Sequence, residues 1–134
     1  MNLTLKTEYA LVALFVIVSK GKGKPVTRKR IVENQILSEH FLEKVLLGLK
    51  RDNLVRSIKG PGGGFVLTKA PSEITMCDVY TAVDDNDFDI MRCHRSTPLP
   101  CPQWDLCKAR NVWFKFNKTM KELMTTITLE DIGK

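Results

Sequence analysis

Cys93, Cys101 and Cys107 lie within fifteen residues of one another, in a stretch that also carries Pro98, Pro100 and Pro102. Prolines at alternate positions bar both helix and central strand, so the backbone there is expected to stay near the surface as a loop. Thiols on such a loop are poor material for a hydrophobic core. Their sulfurs can instead converge on a metal centre, and in a reducing compartment clustered thiols more often mean metal or redox chemistry than disulfides. Unrelated free cysteines are the plain alternative. Cys77 is distant from the other three, falls in a predicted helix, and is expected to be a small buried apolar residue.

The rest of the chain must hold that loop in place. At 134 residues it fits one domain with a real core and an appended helix. The net charge is +6, unevenly spread: residues 1 to 70 carry thirteen basic and five acidic groups, residues 71 to 134 eight and ten. A basic first half points to a polyanionic partner. The longest apolar run, Tyr9 to Val18, has ten residues. That is too short to cross a bilayer and lacks a secretory cleavage pattern, so a cytoplasmic protein with no membrane partner is expected.

Thr7 can cap a first helix with Glu8 in its first turn, running through Ser19 and apolar on most sides; the β-branched Val16-Ile17-Val18 leaves a strand open, but length favours helix. Gly21 to Pro25 end it. Thr27 caps a short second helix over 28 to 34, with Arg28, Lys29 and Arg30 at its start. Ser38 caps a third, in which Phe41, Leu42, Val45, Leu46 and Leu49 form a buried stripe opposite His40, Glu43, Lys44 and Arg51. Two short helices joined tightly, the second apolar behind and polar in front, are the sequence pattern of a helix-turn-helix.

Leu54 to Ile58 and Phe65 to Leu67 flank Lys59-Gly60-Pro61-Gly62-Gly63-Gly64 and predict a hairpin with a cationic tip, whose glycines let backbone N–H groups approach phosphates. Following a helix-turn-helix, such a hairpin is a wing. Thr75 and Asp78 form a capping pair opening a fourth helix, with Met76, Val79, Tyr80 and Val83 on one face. Asp84, Asp85, Asp87 and Asp89 follow; Asp85, Asp87 and Asp89 imitate the start of a calcium loop, but Ile90 replaces its glycine and Ser96 its final glutamate, so the run predicts a solvated acidic connector. After Cys107, Ala109, Val112, Trp113, Phe116, Met120, Leu123, Met124 and Ile127 keep helical spacing for about five turns. A terminal helix that long needs a partner surface: its copy in a second subunit, or its own head.

Lys6-Thr7-Glu8-Tyr9-Ala10-Leu11, Phe41-Leu42-Glu43-Lys44-Val45-Leu46, Leu54-Val55-Arg56 leading to Gly60-Pro61-Gly62-Gly63-Gly64-Phe65, Ile74-Thr75 before Asp78-Val79, and the three-cysteine loop together resemble the bacterial winged-helix regulators of the IscR/NsrR type. The resemblance spans almost the whole chain. It implies a homodimer on palindromic double-stranded DNA operators, helix three in the major groove and the wing in the adjacent minor groove. By position it assigns base-facing roles to Ser38, His40 and Glu43, and makes Lys59 the wing-tip cation. Lys59 lacks the planar fork of the arginine common there, which argues against deep minor-groove insertion. With Arg28, Lys44, Gly60 and Gly62 these residues make the expected DNA-binding set.

The same resemblance makes Cys93, Cys101 and Cys107 ligands of an iron-sulfur cluster, 4Fe-4S rather than 2Fe-2S, although the first gap is seven residues rather than five. IscR-like members have a histidine ligand three residues after the third cysteine, where this chain has Arg110. NsrR-like members use a carboxylate in the first helix of the other subunit, and Glu8 occupies that position. The fold expected is mainly α with a small hairpin wing: a winged helix-turn-helix (1–83), an acidic connector and cysteine loop (84–107), and a dimerisation helix with its tail (108–134). The expected function is a transcription regulator, a repressor and not an enzyme, that senses iron-sulfur status, redox state or nitric oxide. Its rivals are a cluster-free thiol switch or zinc-dependent regulator of the same fold, and a protein-interaction module that binds no DNA.

Overall fold

The computed structural model describes residues 4–33, 35, 37–84 and 101–132. Helix α1 spans Leu5–Gly21, and its cap is Thr4 rather than the expected Thr7. Two threonines three residues apart are both competent caps. The Thr4 hydroxyl oxygen accepts the Thr7 N–H at 3.3 Å, so the helix starts one turn earlier and Thr7 is drawn fully into the interior. The helix ends at Lys22, which adopts a left-handed conformation and donates its N–H to Val18 at 3.4 Å.

Helices α2 (Arg28–Val32) and α3 (Glu39–Arg51) are capped by Thr27 and Ser38, as the sequence predicts, and α2 is shorter than expected. Leu42, Val45, Leu46 and Leu49 of α3 are buried. They meet Ala10, Ala13, Leu14 and Ile17 of α1 in one core that also takes in Ile31, Val26 and Val55. Gly48 permits the close crossing of α3 and α4, since a Cβ there would lie 2.6 Å from the Ala82 carbonyl oxygen. Tyr9 and Phe41 close the edge of the core as an edge-to-face pair, ring centroids 4.8 Å apart.

Strands β1 (Val55–Ile58) and β2 (Gly64–Leu67) pair antiparallel, with Val55 opposite Leu67 and Ile58 opposite Gly64. The hairpin is tied to the head where Val26 and Phe65 exchange backbone hydrogen bonds of 3.0 and 2.8 Å. A single 3-10 turn over Pro71–Glu73 leads to α4 (Met76–Val83). Its capping box is complete: Thr75 Oγ1 accepts the Asp78 N–H at 3.1 Å and Asp78 accepts the Thr75 N–H at 2.9 Å. Asp84 follows as the C-cap and is buried, so this first member of the aspartate run is not the solvated connector residue expected of it. Its N–H still belongs to the last turn of α4, bonded to the Tyr80 carbonyl at 2.9 Å, which keeps it against the helix. Asp85, Asp87 and Asp89 lie outside the described residues.

Helix α5 spans Arg110–Thr126 and splits the apolar positions read as one stripe. Trp113, Met120 and Met124 are half-buried or buried, α5 packing against α4, whereas Val112, Phe116 and Leu123 are exposed. Eight apolar positions make a band wider than one contact face, so two surfaces share it. Ile127 has left the helix. Its carbonyl accepts the Met76 N–H at 2.8 Å, and the Leu129 N–H reaches the Ile74 carbonyl at 3.0 Å, forming a bridge between Thr75 and Thr128. The short α6 (Leu129–Ile132) then plugs Leu129 into the head core. No described helix is long and apolar enough to cross a membrane.

Candidate nucleic-acid interface and cysteine loop

The cationic and polar groups singled out in α2, α3 and the wing are exposed, and those of α2 and α3 meet where Arg28 pairs with Glu43. Ser38 Oγ caps α3 by accepting the Phe41 N–H at 3.4 Å, and the residue is exposed at the helix N-terminus. His40, Glu43 and Lys44 are exposed on the side of α3 opposite its buried stripe. Arg28, the first residue of α2, is ion-paired with Glu43, so its guanidinium spans the two helices and restrains the Glu43 carboxylate. Both partners are about half exposed, which places the pair at the surface, where its value is in orientation more than stability.

At the wing tip, the Gly63 N–H bonds to the Gly60 carbonyl at 2.9 Å. Pro61 takes the second place of this turn and Gly62, at φ +73°, the third, an arrangement that a type II turn demands. Nothing lies within 4 Å of a Cβ built on Gly60 or Gly62, so their backbone is open to an approaching phosphate. Lys59 is exposed immediately before them.

The cysteine loop lies on the other side of α4 in sequence. Cys93 and its neighbour His94 fall outside the described residues. Cys101 is exposed and Cys107 half-buried, neither in a disulfide. Between them the backbone turns tightly: Trp104 N–H to the Cys101 carbonyl at 2.9 Å, Leu106 N–H to Gln103 at 3.1 Å, then Arg110 N–H to Cys107 at 3.4 Å. Cys77 sits in the first turn of α4 and is half-buried rather than enclosed, because that turn opens at the surface. Glu8 is exposed in the first turn of α1, on the side that also displays Leu5 and Phe15.

Arg110, which stands where IscR-like members have a histidine ligand, has a structural task that the sequence alone does not signal. Its guanidinium donates to the Trp104 carbonyl at 2.9 Å and lies 5.6 Å from the centroid of the Trp104 ring. Trp104 in turn meets Phe114 edge-on at 5.8 Å. Arg110 therefore clamps the segment holding Cys101 and Cys107 onto the first turns of α5. Its contact runs back six residues across a turn, where no helical or strand period signals it.

Among the described residues no three His, Cys, Asp or Glu side chains gather as a ready metal set. The donors on the described part of the loop are nonetheless two cysteine sulfurs outside any disulfide, held on consecutive turns. Soft thiolates of that kind fit an iron-sulfur cluster, and fit zinc as well.

A tight two-helix unit with a polar outer face, followed by a glycine-tipped hairpin and a long terminal helix, defines a winged helix-turn-helix DNA-binding regulator. The chain belongs to the Rrf2 family of iron-dependent transcriptional regulators, whose family model matches residues 3–134. It is 33% identical over 132 residues to the HTH-type transcriptional regulator IscR of Serratia proteamaculans, covering 98% of this chain and 79% of that one. Among solved structures, CymR, the global cysteine regulator of B. subtilis, superposes with a TM-score of 0.79 at 27% identity, over 98% of this chain and 95% of that one. IscR of T. potens does so with a TM-score of 0.76 at 28% identity, over 98% and 85%. The relatives are named as regulators of transcription rather than enzymes.

Proposed function

We propose that the chain acts as a homodimeric, operator-specific repressor whose DNA affinity is set by the state of its cysteine loop. The observation that carries this reading is the position of Cys101 and Cys107: on clamped turns joined directly to α5, between the head and the exposed apolar stripe of that helix. In this division of labour residues 1–83 grip DNA, 84–107 sense, and 108–134 dimerise. Val112, Phe116 and Leu123 stand at i, i+4 and i+11 and remain exposed in the single chain, as a face kept for a second copy would.

Cys93, Cys101 and Cys107 would hold an iron-sulfur cluster, 4Fe-4S in this reading, with Glu8 of the partner subunit as the oxygen donor. Such a cluster, when bound, supplies iron sensitive to oxidants, nitric oxide and iron supply. The protein's own part is to keep the thiols converged, to exclude disulfide pairing, and to pass the order of the loop to α5. Reorienting α5 resets the spacing of two recognition helices that must meet major grooves about 34 Å apart. Ser38, His40, Glu43 and Lys44 then face base edges, with Arg28 fixing Glu43, and Lys59, Gly60 and Gly62 approach the backbone.

Purification without oxygen, followed by iron and sulfide analysis, a visible spectrum and operator titration, tests the proposal. Brown protein containing iron and sulfide, whose colour and DNA response are both lost in Cys101→Ala, is the expected result. Iron-free protein in which Cys101→Ala keeps its full response overturns the cluster. A second reading is favoured by the likeness to CymR, a cysteine regulator in B. subtilis: a thiol switch without a cluster, recognised by reversible, metal-independent oxidation that changes DNA affinity.

A further inference from the structure

The outer stripe of α3 consists of Glu39, His40, Glu43, Lys44 and Leu47, spaced i, i+1, i+4, i+5 and i+8, and all five are exposed. Four are charged or polar. Leu47 is not, and at 69% it is the most exposed large hydrophobic side chain described between residues 4 and 84. Folding gives no reason for a leucine there, because α3 already buries Leu42, Val45, Leu46 and Leu49 on its other side. Leu47 borders an open recess of about 300 Å³ between α3 and the hairpin, walled by Leu46 and Phe65 and rimmed by the Arg28–Glu43 ion pair.

A single leucine flanked by Lys44 and Lys50 is too small an apolar patch for a protein interface, which buries on the order of 1,000 Å² or more. The surrounding charge suits a polyanion. In the major groove of a duplex, the apolar feature that base edges offer is the C5 methyl of thymine. The neighbouring carboxylate fits the same surface, since Arg28 offsets the repulsion that Glu43 would otherwise exert on phosphates.

We infer that Leu47 is a specificity-determining residue that packs against a thymine methyl in the operator, one helical turn beyond the base read by Glu43. The inference rests on α3 being the recognition helix. Selection from a random-sequence duplex library with the full chain yields the probe. Each thymine of the selected duplex is then replaced by deoxyuracil, which removes the methyl group alone, and binding of the wild type and Leu47→Ala is measured by fluorescence anisotropy at fixed salt.

At one thymine in each half-site the replacement should weaken wild-type binding about fourfold, the value of one buried methyl-sized group. It should leave Leu47→Ala unaffected. Leu47→Ala, which removes the contact from both subunits of the dimer, should itself bind the selected duplex at least about 16-fold more weakly than wild type does, bind a scrambled duplex equally, and melt as wild type because the side chain is exposed. Uracil replacement that is neutral everywhere in the wild type, or equal losses in both proteins, overturns the inference. So does a Leu47→Ala defect shared by selected and scrambled duplexes, which would mark Leu47 as a general or protein-facing contact. Failure of the wild type to enrich any sequence is the separate failure of the operator-binding reading, and Leu47 falls with it.

Discussion

Removing the Arg110 guanidinium should loosen the cysteine loop without unfolding the protein. In Arg110→Ala the loop loses one charge-assisted hydrogen bond to the Trp104 carbonyl and the stacking of the guanidinium on the Trp104 ring. At a half-buried site the first is worth about 1.5 kcal/mol and the second about 0.5 kcal/mol. The sum, about 2 kcal/mol, raises local opening of residues 101 to 107 about 30-fold. None of these residues belongs to the head core, so the melting temperature should barely move. Thiol alkylation of iron-free protein reads the effect directly. Cys107, half-buried, should react many times faster in the variant, while Cys101, already exposed, should change little. Arg110→Lys, which keeps the charge but loses the planar fork, should fall between the two. Equal Cys107 rates in wild type and Arg110→Ala would refute the clamp.

Other perturbations separate the remaining parts. Leu129→Ala empties a socket in the head core and should cost about 2–4 kcal/mol, lowering the melting temperature by on the order of 10 °C in calorimetry. Lys59→Ala should weaken binding to selected and scrambled duplexes alike and reduce the salt slope by about one, whereas Glu43→Gln should mainly relax sequence preference; equal effects would dissolve that division. Arg28→Ala should relax sequence preference as Glu43→Gln does, because it releases the same carboxylate from its orientation, and should also weaken binding to every duplex, because the charge of Glu43 is no longer offset. Phe116→Asp combined with Leu123→Asp should convert a dimer to a folded monomer in sedimentation velocity, since both side chains are exposed in the single chain.

Local chemistry made most of the fold legible. Thr27, Ser38 and the Thr75–Asp78 box are side-chain caps that act within four residues, and each begins a helix as expected. The hairpin was equally readable, because Pro61 and Gly62 are required by its turn. Where two answers were locally equivalent, tertiary packing decided. Thr4 displaced Thr7 as the first cap because the interior claimed Thr7. The apolar band of α5 is continuous in the sequence, but folding buries Met124 and leaves Phe116 outside. At the candidate site, the exposed polar face of α3 and the exposed tip of the wing follow from period and turn type. The Arg28–Glu43 pair and the Arg110 clamp do not, since each joins residues whose separation matches no regular repeat. Leu47 is visible in the sequence as an apolar residue at the next place in a stripe of charges.

The stitch between Thr75 and Thr128 makes α5 a lever with one fixed end. Its far end is pinned to the head by two backbone hydrogen bonds and by Leu129, whereas the end that adjoins the cysteine turns is tied to those turns by Arg110 and Trp104. Seventeen residues give an arm of about 25 Å, over which a 10° swing moves the near end by about 4 Å. In the reading proposed above, a change at the cysteine turns enters α5 at the end of the arm away from this pivot, and the pivot bears on the start of α4, whose last turn meets α3 at Gly48.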